Sequence, residues 1–228
     1  MLGIIGAMDV EVNLLKEKVV NKNVDVFADI EFVTGELEGQ KVCVVQCSPG
    51  KVNAALCTQL LIDKFDIDEI INIGIGCSLS KDVVIKDIVV ADALCQYDID
   101  ITALNEPRGL INGIEKIKIE TDSSLSQALA NAAKQCNNPV HIGTIASGDT
   151  FIGTNALKNE INKEFGAICG EMEGGAIAQV CYINNIPFAV LRTISDGGNE
   201  NVQIDYPIFK PLAAEISCSI MLEFLKNK

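Results

Sequence analysis

Three acidic side chains and one arginine stand where the chain changes direction, and their types suit acid–base work on a bond between a sugar and a base. Glu171-Met172-Glu173 precedes the small-residue run Gly-Gly-Ala-Ile-Ala, which puts a carboxylate at the mouth of an apolar helix. Arg192-Thr-Ile-Ser195-Asp196 then puts a second carboxylate just past a buried strand, Phe188–Ile194. Glu11 follows the first strand through Gly6-Ala7-Met8-Asp9-Val10. In a glycosidic cleavage one acid can grip the sugar hydroxyls while another protonates the leaving group. Singly, each acid also has a structural reading. Glu11, Glu171 and Glu173 can complement helix dipoles at helix starts, and Asp196 can cap a turn.

Alternating strands and helices must hold these groups. Strand-like runs fall at Leu2–Gly6, Glu31–Leu37, Lys41–Cys47, Glu69–Gly74, Asp87–Ala93, Val140–Ala146 and Phe188–Ile194. Helical spacing of apolar residues marks Val10–Val20, Lys51–Lys64, Ser123–Gln135, Asn155–Glu164, Glu173–Ile183 and Phe209–Leu225. Thr121-Asp122-Ser123-Ser124 reads as a helix start, Asn184-Asn185 with Pro187 as a stop, and Glu38-Gly39-Gln40 as a hairpin turn. No linker, repeat or low-complexity tract divides the 228 residues, so a single domain, 1–228, is expected. The pattern implies an α/β sandwich with a parallel or mixed sheet and ligand loops at strand ends.

Composition narrows the partners. Hydrophobic residues make up 48% and aromatics only 5%, which indicates a large aliphatic core. A net charge of −13 leaves no basic stripe for phosphates, so a nucleic-acid partner is excluded. No run approaches the roughly 20 apolar residues of a membrane helix, and Met1-Leu-Gly-Ile-Ile-Gly reads as a core strand rather than a signal peptide. A cytoplasmic protein with no membrane partner is expected. The nine cysteines are scattered without a C-x-x-C pair and read as small buried hydrophobes; Cys77 alone, in a glycine turn, has a position that would suit catalysis or metal binding. His141 stands alone, so a zinc site or a Ser-His-Asp triad has little to build on.

Gly74-Ile-Gly76-Cys-Ser-Leu79 has Leu where a dinucleotide fingerprint needs its third glycine. Gly74 and Gly76 instead read as a tight turn that lets a flat base approach the backbone. Ser147-Gly-Asp-Thr-Phe151-Ile152 offers a second such edge, with Phe151 either stacking on a heterocycle or packing in the core.

Taken together, Gly3-Ile-Ile-Gly-Ala-Met8, Gly50-Lys51, Asn72-x-Gly74, Lys86-Asp-Ile-Val-Val90, Ser147-Gly-Asp-x-Phe-Ile152, Glu171-Met-Glu173 and Arg192-x-Ile-Ser-Asp196 resemble the nucleoside phosphorylase superfamily. Within it the chain is most similar to the bacterial 5′-methylthioadenosine/S-adenosylhomocysteine nucleosidases, in order from residue 2 to about 225. The resemblance implies a three-layer α/β/α sandwich around a central mixed sheet. It also implies a purine nucleoside substrate, no metal or organic cofactor, and a homodimer whose neighbour closes the 5′ pocket.

Carried over residue by residue, the resemblance gives each group a role. Glu11 polarises the attacking water. Asp196 protonates adenine N7, with Ser195 holding its carboxyl. Glu173 and Met172 hold the ribose, and Arg192 helps hold the water and orients the acids. Phe151 and Ile152 contact the purine, and Met8, Gly76 and Tyr206 complete the substrate-binding set. To act as an acid Asp196 must be protonated at neutral pH, which burial beside other carboxylates favours. Glu11 also favours water over phosphate, because a phosphorylase would place donors there for a dianion.

Two stretches depart from the family pattern. Ile75-Gly76-Cys77-Ser78 replaces a Ser-Ala-Gly-Gly-type turn, with Ile75 where a small hydroxyl is usual. Leu104-Asn-Glu106-Pro-Arg108 replaces aromatics expected around a 5′-alkylthio group, which suggests either a larger or more polar tail such as homocysteine, met by Glu106 and Arg108, or a solvent-exposed loop whose charges contact nothing. A phosphate-dependent phosphorylase, a hydrolase of a related nucleoside such as futalosine, and a non-catalytic nucleoside-binding protein stay open as alternatives.

Overall fold

The computed structural model describes residues 1–228. In chain order the first half contains β1 (Leu2–Gly6), α1 (Asp9–Lys18), β2 (Val20–Phe27), β3 (Ile30–Leu37), β4 (Gln40–Gln46), α2 (Lys51–Lys64), β5 (Glu69–Ser78) and β6 (Ile88–Gln96). The second half contains β7 (Lys118–Glu120), α3 (Ser123–Gln135), β8 (Val140–Ser147), α4 (Asn155–Phe165), β9 (Cys169–Glu171), α5 (Gly174–Asn184), β10 (Phe188–Asp196) and α6 (Val202–Lys226).

Period-two side-chain alternation builds the layers. Leu2 and Ile4 of β1, with Val42 and Val44 of β4, enter one apolar cluster with Val12 and Leu15 of α1, Leu129 of α3 and Met221 of α6. Ile5, Cys43 and Val45 point the other way, into a second cluster with Ala54 and Leu61 of α2 and Ile177 of α5. Both faces of the sheet are therefore apolar and both are covered by helices, as strands buried on two sides require. The three-layer α/β/α arrangement with a mixed sheet is the one expected.

One end of the sheet closes on itself. β5 runs parallel to β1 through Glu69–Asn72 and parallel to β10 along most of its length. Beyond the end of β1, its Cys77 and Ser78 pair with β9 instead. β9 joins β8, β8 joins β6, and β6 returns antiparallel to β10, which completes a five-stranded ring. The sequence reading ended this strand at Gly74. Its extension through Cys77 is what makes the ring possible, so Gly74 and Gly76 lie within a strand and Cys77 is not in a turn.

Other departures have local causes. The helix expected over Val10–Val20 stops at Lys18, because Val20 starts the edge strand β2. Helix α6 begins at Val202 rather than Phe209, with Pro207 and Pro211 on its exposed side, where carbonyls left without an N–H partner can meet water. The hairpin turn is the two residues Glu38 and Gly39, both at positive φ (50° and 79°), between β3 and β4. Asp122 caps α3 by accepting from the amides of Ser124 and Leu125, and Asn185 ends α5 at φ 55°.

Candidate active site

A cavity opens at the carboxyl ends of β1, β5 and β10, beside the start of α5. Its lining takes Ala7, Met8 and Glu11 from the first loop and helix, Ile75, Gly76 and Cys77 from β5, and Ser195 and Asp196 from β10. Gly170 to Glu173, Pro49, Thr150 to Ile152 and Tyr206 close the remaining sides. Ten of the eleven site residues expected from sequence line this one cavity; Arg192 is the exception.

Glu11 sits in the first turn of α1 and curls back over the helix start. Its Oε2 accepts from the amides of Ala7 (2.7 Å) and Met8 (2.9 Å), and its Oε1 from the amide of Ile75 (3.0 Å). The dipole-complementing reading and the cavity-facing reading therefore hold together in one side chain. A Cβ on Gly74 would stand 2.7 Å from Glu11 Oε1. Gly74 thus makes room for this carboxylate rather than for a base, which corrects the sequence expectation. Burial raises the Glu11 pKa, against the lowering effect of Arg192 and the three amides.

Glu171 and Glu173 diverge although they are two residues apart. Glu171 Oε2 accepts from the amides of Glu173 (3.0 Å) and Gly174 (2.7 Å), while Ser147 Oγ donates to its other oxygen. These contacts serve donors that a helix start leaves free. Glu173 receives only the Gly50 amide, at 2.9 Å, besides a guanidinium nitrogen of Arg192 at 3.9 Å. Burial first, and the neighbouring Glu171 second, push its carboxyl up to about 8.

Arg192 is 1% exposed and lies behind these acids. Its Nη2 donates to Glu171 Oε2 and to Asn72 Oδ1 (2.6 Å), and its Nη1 to the Leu191 carbonyl at 3.0 Å. The sequence reading had Arg192 helping to hold the water. In the structure its guanidinium is committed beneath the carboxylates and does not line the cavity, which leaves it the orienting role.

Asp196 owes its direction to a bulge. The β10–β5 register steps from Ile194↔Gly76 to Asp196↔Cys77, so Ser195 and Asp196 both face the cavity although strand neighbours normally alternate. Ser195 Oγ donates to Asp196 Oδ2 at 2.8 Å, and the Gly198 amide donates to Oδ1 at 2.9 Å. Burial is the main cause of a raised pKa here, with the charge of Asp205 adding to it and both donors opposing it.

The rim is apolar. Phe151 is 49% exposed and meets Tyr206 edge to face, with ring centroids 5.1 Å apart, so it is not a core residue. Tyr206 Oη lies 3.5 Å from Met8 Sδ, and Ile75 packs with Met8 and Tyr206. Cys77 borders the cavity, but burial pushes its thiol far up, away from the reactive thiolate. His141 is paired with Asp87 at 2.9 Å and takes no part.

The expected tail contacts are absent from this lining. Arg108 is held by Glu160 and Glu164 of α4 and donates to the Tyr97 carbonyl at 2.8 Å. Neither it nor Glu106 reaches the cavity. The sequence reading also gave no role to Asn72, Ser147 or the Gly50 amide, because their function lies in holding another side chain. The Asn72-x-Gly74 and Gly50-Lys51 pairs were the available signal.

A ring-closed mixed sheet with buried acids at its carboxyl end defines an α/β enzyme of the nucleoside-processing kind. The chain belongs to the phosphorylase superfamily, which it matches over residues 1–226. It is 37% identical to a Staphylococcus aureus 5′-methylthioadenosine/S-adenosylhomocysteine nucleosidase across the full length of both. The Neisseria meningitidis nucleosidase in complex with methylthio-immucillin-A superposes with a TM-score of 0.95 at 32% identity, covering 100% of this chain and 99% of that one. A futalosine hydrolase of Helicobacter pylori superposes with a TM-score of 0.94 at 31% identity, covering 100% and 97%.

Proposed function

We propose that this protein hydrolyses the N-glycosidic bond of 5′-methylthioadenosine, S-adenosylhomocysteine or both, releasing adenine and a 5-alkylthioribose. The observation that carries this reading is the arrangement of Glu11, Glu173 and Asp196 around one buried cavity, in a chain whose full-length relative is a nucleosidase of these two compounds. Asp196, whose pKa burial raises, donates a proton to N7 and makes adenine a neutral leaving group. Departure of the base leaves an oxocarbenium-like sugar, which the surrounding carboxylates stabilise. Glu173 takes the ribose hydroxyls, and Glu11, fixed by three amides, polarises the water. Phe151 and Ile152 contact the purine.

Hydrolysis is favoured over phosphorolysis by charge. A phosphate dianion would enter beside Glu11, where the one nearby guanidinium already serves Glu171. A sensor function is disfavoured because pure binding gives no use to a buried acid facing the cavity. The protein assembles as a homodimer in this reading, which is supported by exposed Val52 and Leu56 on α2, Ile183 on α5 and Leu104; sedimentation at several concentrations tests it.

Adenine release from both nucleosides, followed in phosphate-free buffer and again with phosphate added, tests the reaction. The expected result is release at the same rate in both buffers. Release that requires phosphate overturns hydrolysis, and no release from either nucleoside overturns the substrate assignment.

A further inference from the structure

Outside the acids stands a closed ring of three charged residues that the chemistry above does not use. The Lys51 amide donates to Asp149 Oδ1 at 2.8 Å, and the Asp149 amide donates to Asp98 Oδ2 at 2.9 Å. The Lys51 ammonium completes the circuit to Asp98 Oδ1 at 2.6 Å. Each member comes from a different segment: the start of α2, the turn after β6 and the loop after β8. The ammonium also reaches Gln96 Oε1 at 3.1 Å, and Gln96 Nε2 donates to Gln179 of α5 at 2.8 Å.

Both walls of the cavity hang from this ring. The residue before Lys51 is Gly50, whose amide is the only backbone donor to Glu173. Gly50 holds φ 102° and ψ 154°, and a Cβ there would stand 3.2 Å from Asp149 Oδ1, so the turn is shaped against the ring itself. The residues after Asp149 are Thr150, Phe151 and Ile152, which line the purine side. The Asp98 carboxylate joins the two: one oxygen accepts the Asp149 amide and the other pairs with the Lys51 ammonium.

We propose that Lys51, Asp98 and Asp149 are positioning residues for the nucleosidase reaction, locking the Glu173 clamp and the Phe151 wall at a fixed separation. This rests on the nucleosidase reading for its effect on turnover, but the lock itself is a property of the free protein. Without the ammonium, Asp98 is a half-buried charge with no cation, its hold on the Asp149 amide loosens, and the loop carrying Phe151 moves away from the turn carrying Gly50. Ground-state and transition-state grip on the nucleoside weaken together, so KM rises while the chemical step is spared.

The test uses Lys51→Met, the double variant Lys51→Met/Asp98→Asn, and Lys116→Met as a charge control in the Lys116–Glu120 pair. Lys51→Met is expected to raise KM for methylthioadenosine about tenfold with kcat within about threefold. The double variant, which removes the unpaired charge while keeping an oxygen for the Asp149 amide, recovers part of that loss, and the control leaves both constants unchanged. Amide hydrogen exchange on the free proteins reads the lock without substrate. In Lys51→Met, exchange should quicken at Gly50–Lys51 and Gly148–Phe151 and stay unchanged in β1 and β4. Unchanged exchange in both segments overturns the proposal whether or not the wild type turns over nucleosides. Unchanged KM in an active enzyme, or a double variant worse than the single one, overturns it as well. If the wild type releases no adenine, the nucleosidase reading fails, and quickened exchange still upholds the lock.

Discussion

The floor and the rim of the cavity are built on opposite terms. On the floor, Glu11, Glu171 and Asp196 each accept at least two hydrogen bonds from their own fold, and Arg192 is buried among them with partners of its own. At the rim, Phe151 is half-exposed, and beyond it the loop with Leu104, 71% exposed, and Arg108, engaged by α4, contributes no side chain to the lining. The floor is thus fixed by strand ends and helix starts, whereas the outer loop stands clear of the cavity. Reaction type and tail preference are therefore separate questions in this molecule, answered by different residues.

Breaking the floor should cost the most. Arg192→Met leaves Glu171 buried beside Glu173 without its cation, and a loss of stability of about 3–5 kcal/mol is expected in chemical denaturation. A loss below about 1 kcal/mol would mean that the acids do not depend on it. Gly74→Ala is subtler, because the added methyl meets a carboxylate oxygen rather than the core. It should lower kcat about 10²-fold by displacing Glu11, while the Tm moves by a few degrees.

The floor also sets a pH dependence of stability. Glu173 titrates near 8 when folded against a reference of 4.5, so the folded state holds its proton more tightly than the unfolded chain. Its contribution is full below the unfolded value and is lost as pH rises from about 4.5 through about 8. Glu11 and Asp196, also raised by burial, act in the same direction. Wild-type Tm should therefore fall across that window, and Glu173→Gln should flatten the slope. An equal slope in the variant would show that Glu173 does not hold the proton.

The smallest effect belongs to the rim. Arg108→Ala removes exposed ion pairs with Glu160 and Glu164 and should change the ratio of kcat/KM for adenosylhomocysteine over methylthioadenosine by less than about threefold. A larger change would bring Arg108 into contact with the tail and blur the division between the two regions.

How much of this was legible in the sequence follows from the kind of signal involved. Helix α2 matches its expected span at both ends, because its apolar spacing and its flanking Gly50 are local features. Strand β2 was missed: Val20, Val24 and Val26 are exposed on an edge, so no burial pattern marks them. Strand β9 is three residues long and exists only because β5 and β8 flank it. The acids were legible as a set since each stands beside a strand end or helix start. Where Arg192 points was not, because its partners Asn72 and Glu171 are distant in sequence. Nor was the bulge at Ser195, a one-residue shift in register that turns Asp196 into the cavity.

The most direct test of the central claim is Asp196→Asn, assayed for both binding and turnover of methylthioadenosine. The substitution keeps the shape and an oxygen for the Gly198 amide, the Ser195 hydroxyl turning to accept from the new NH2, while it removes the carboxyl group assigned as the acid. Binding within about tenfold of wild type, with kcat lower by about 10³-fold, is the predicted result. A variant that still releases adenine at the wild-type rate would contradict the assignment of Asp196 as the general acid.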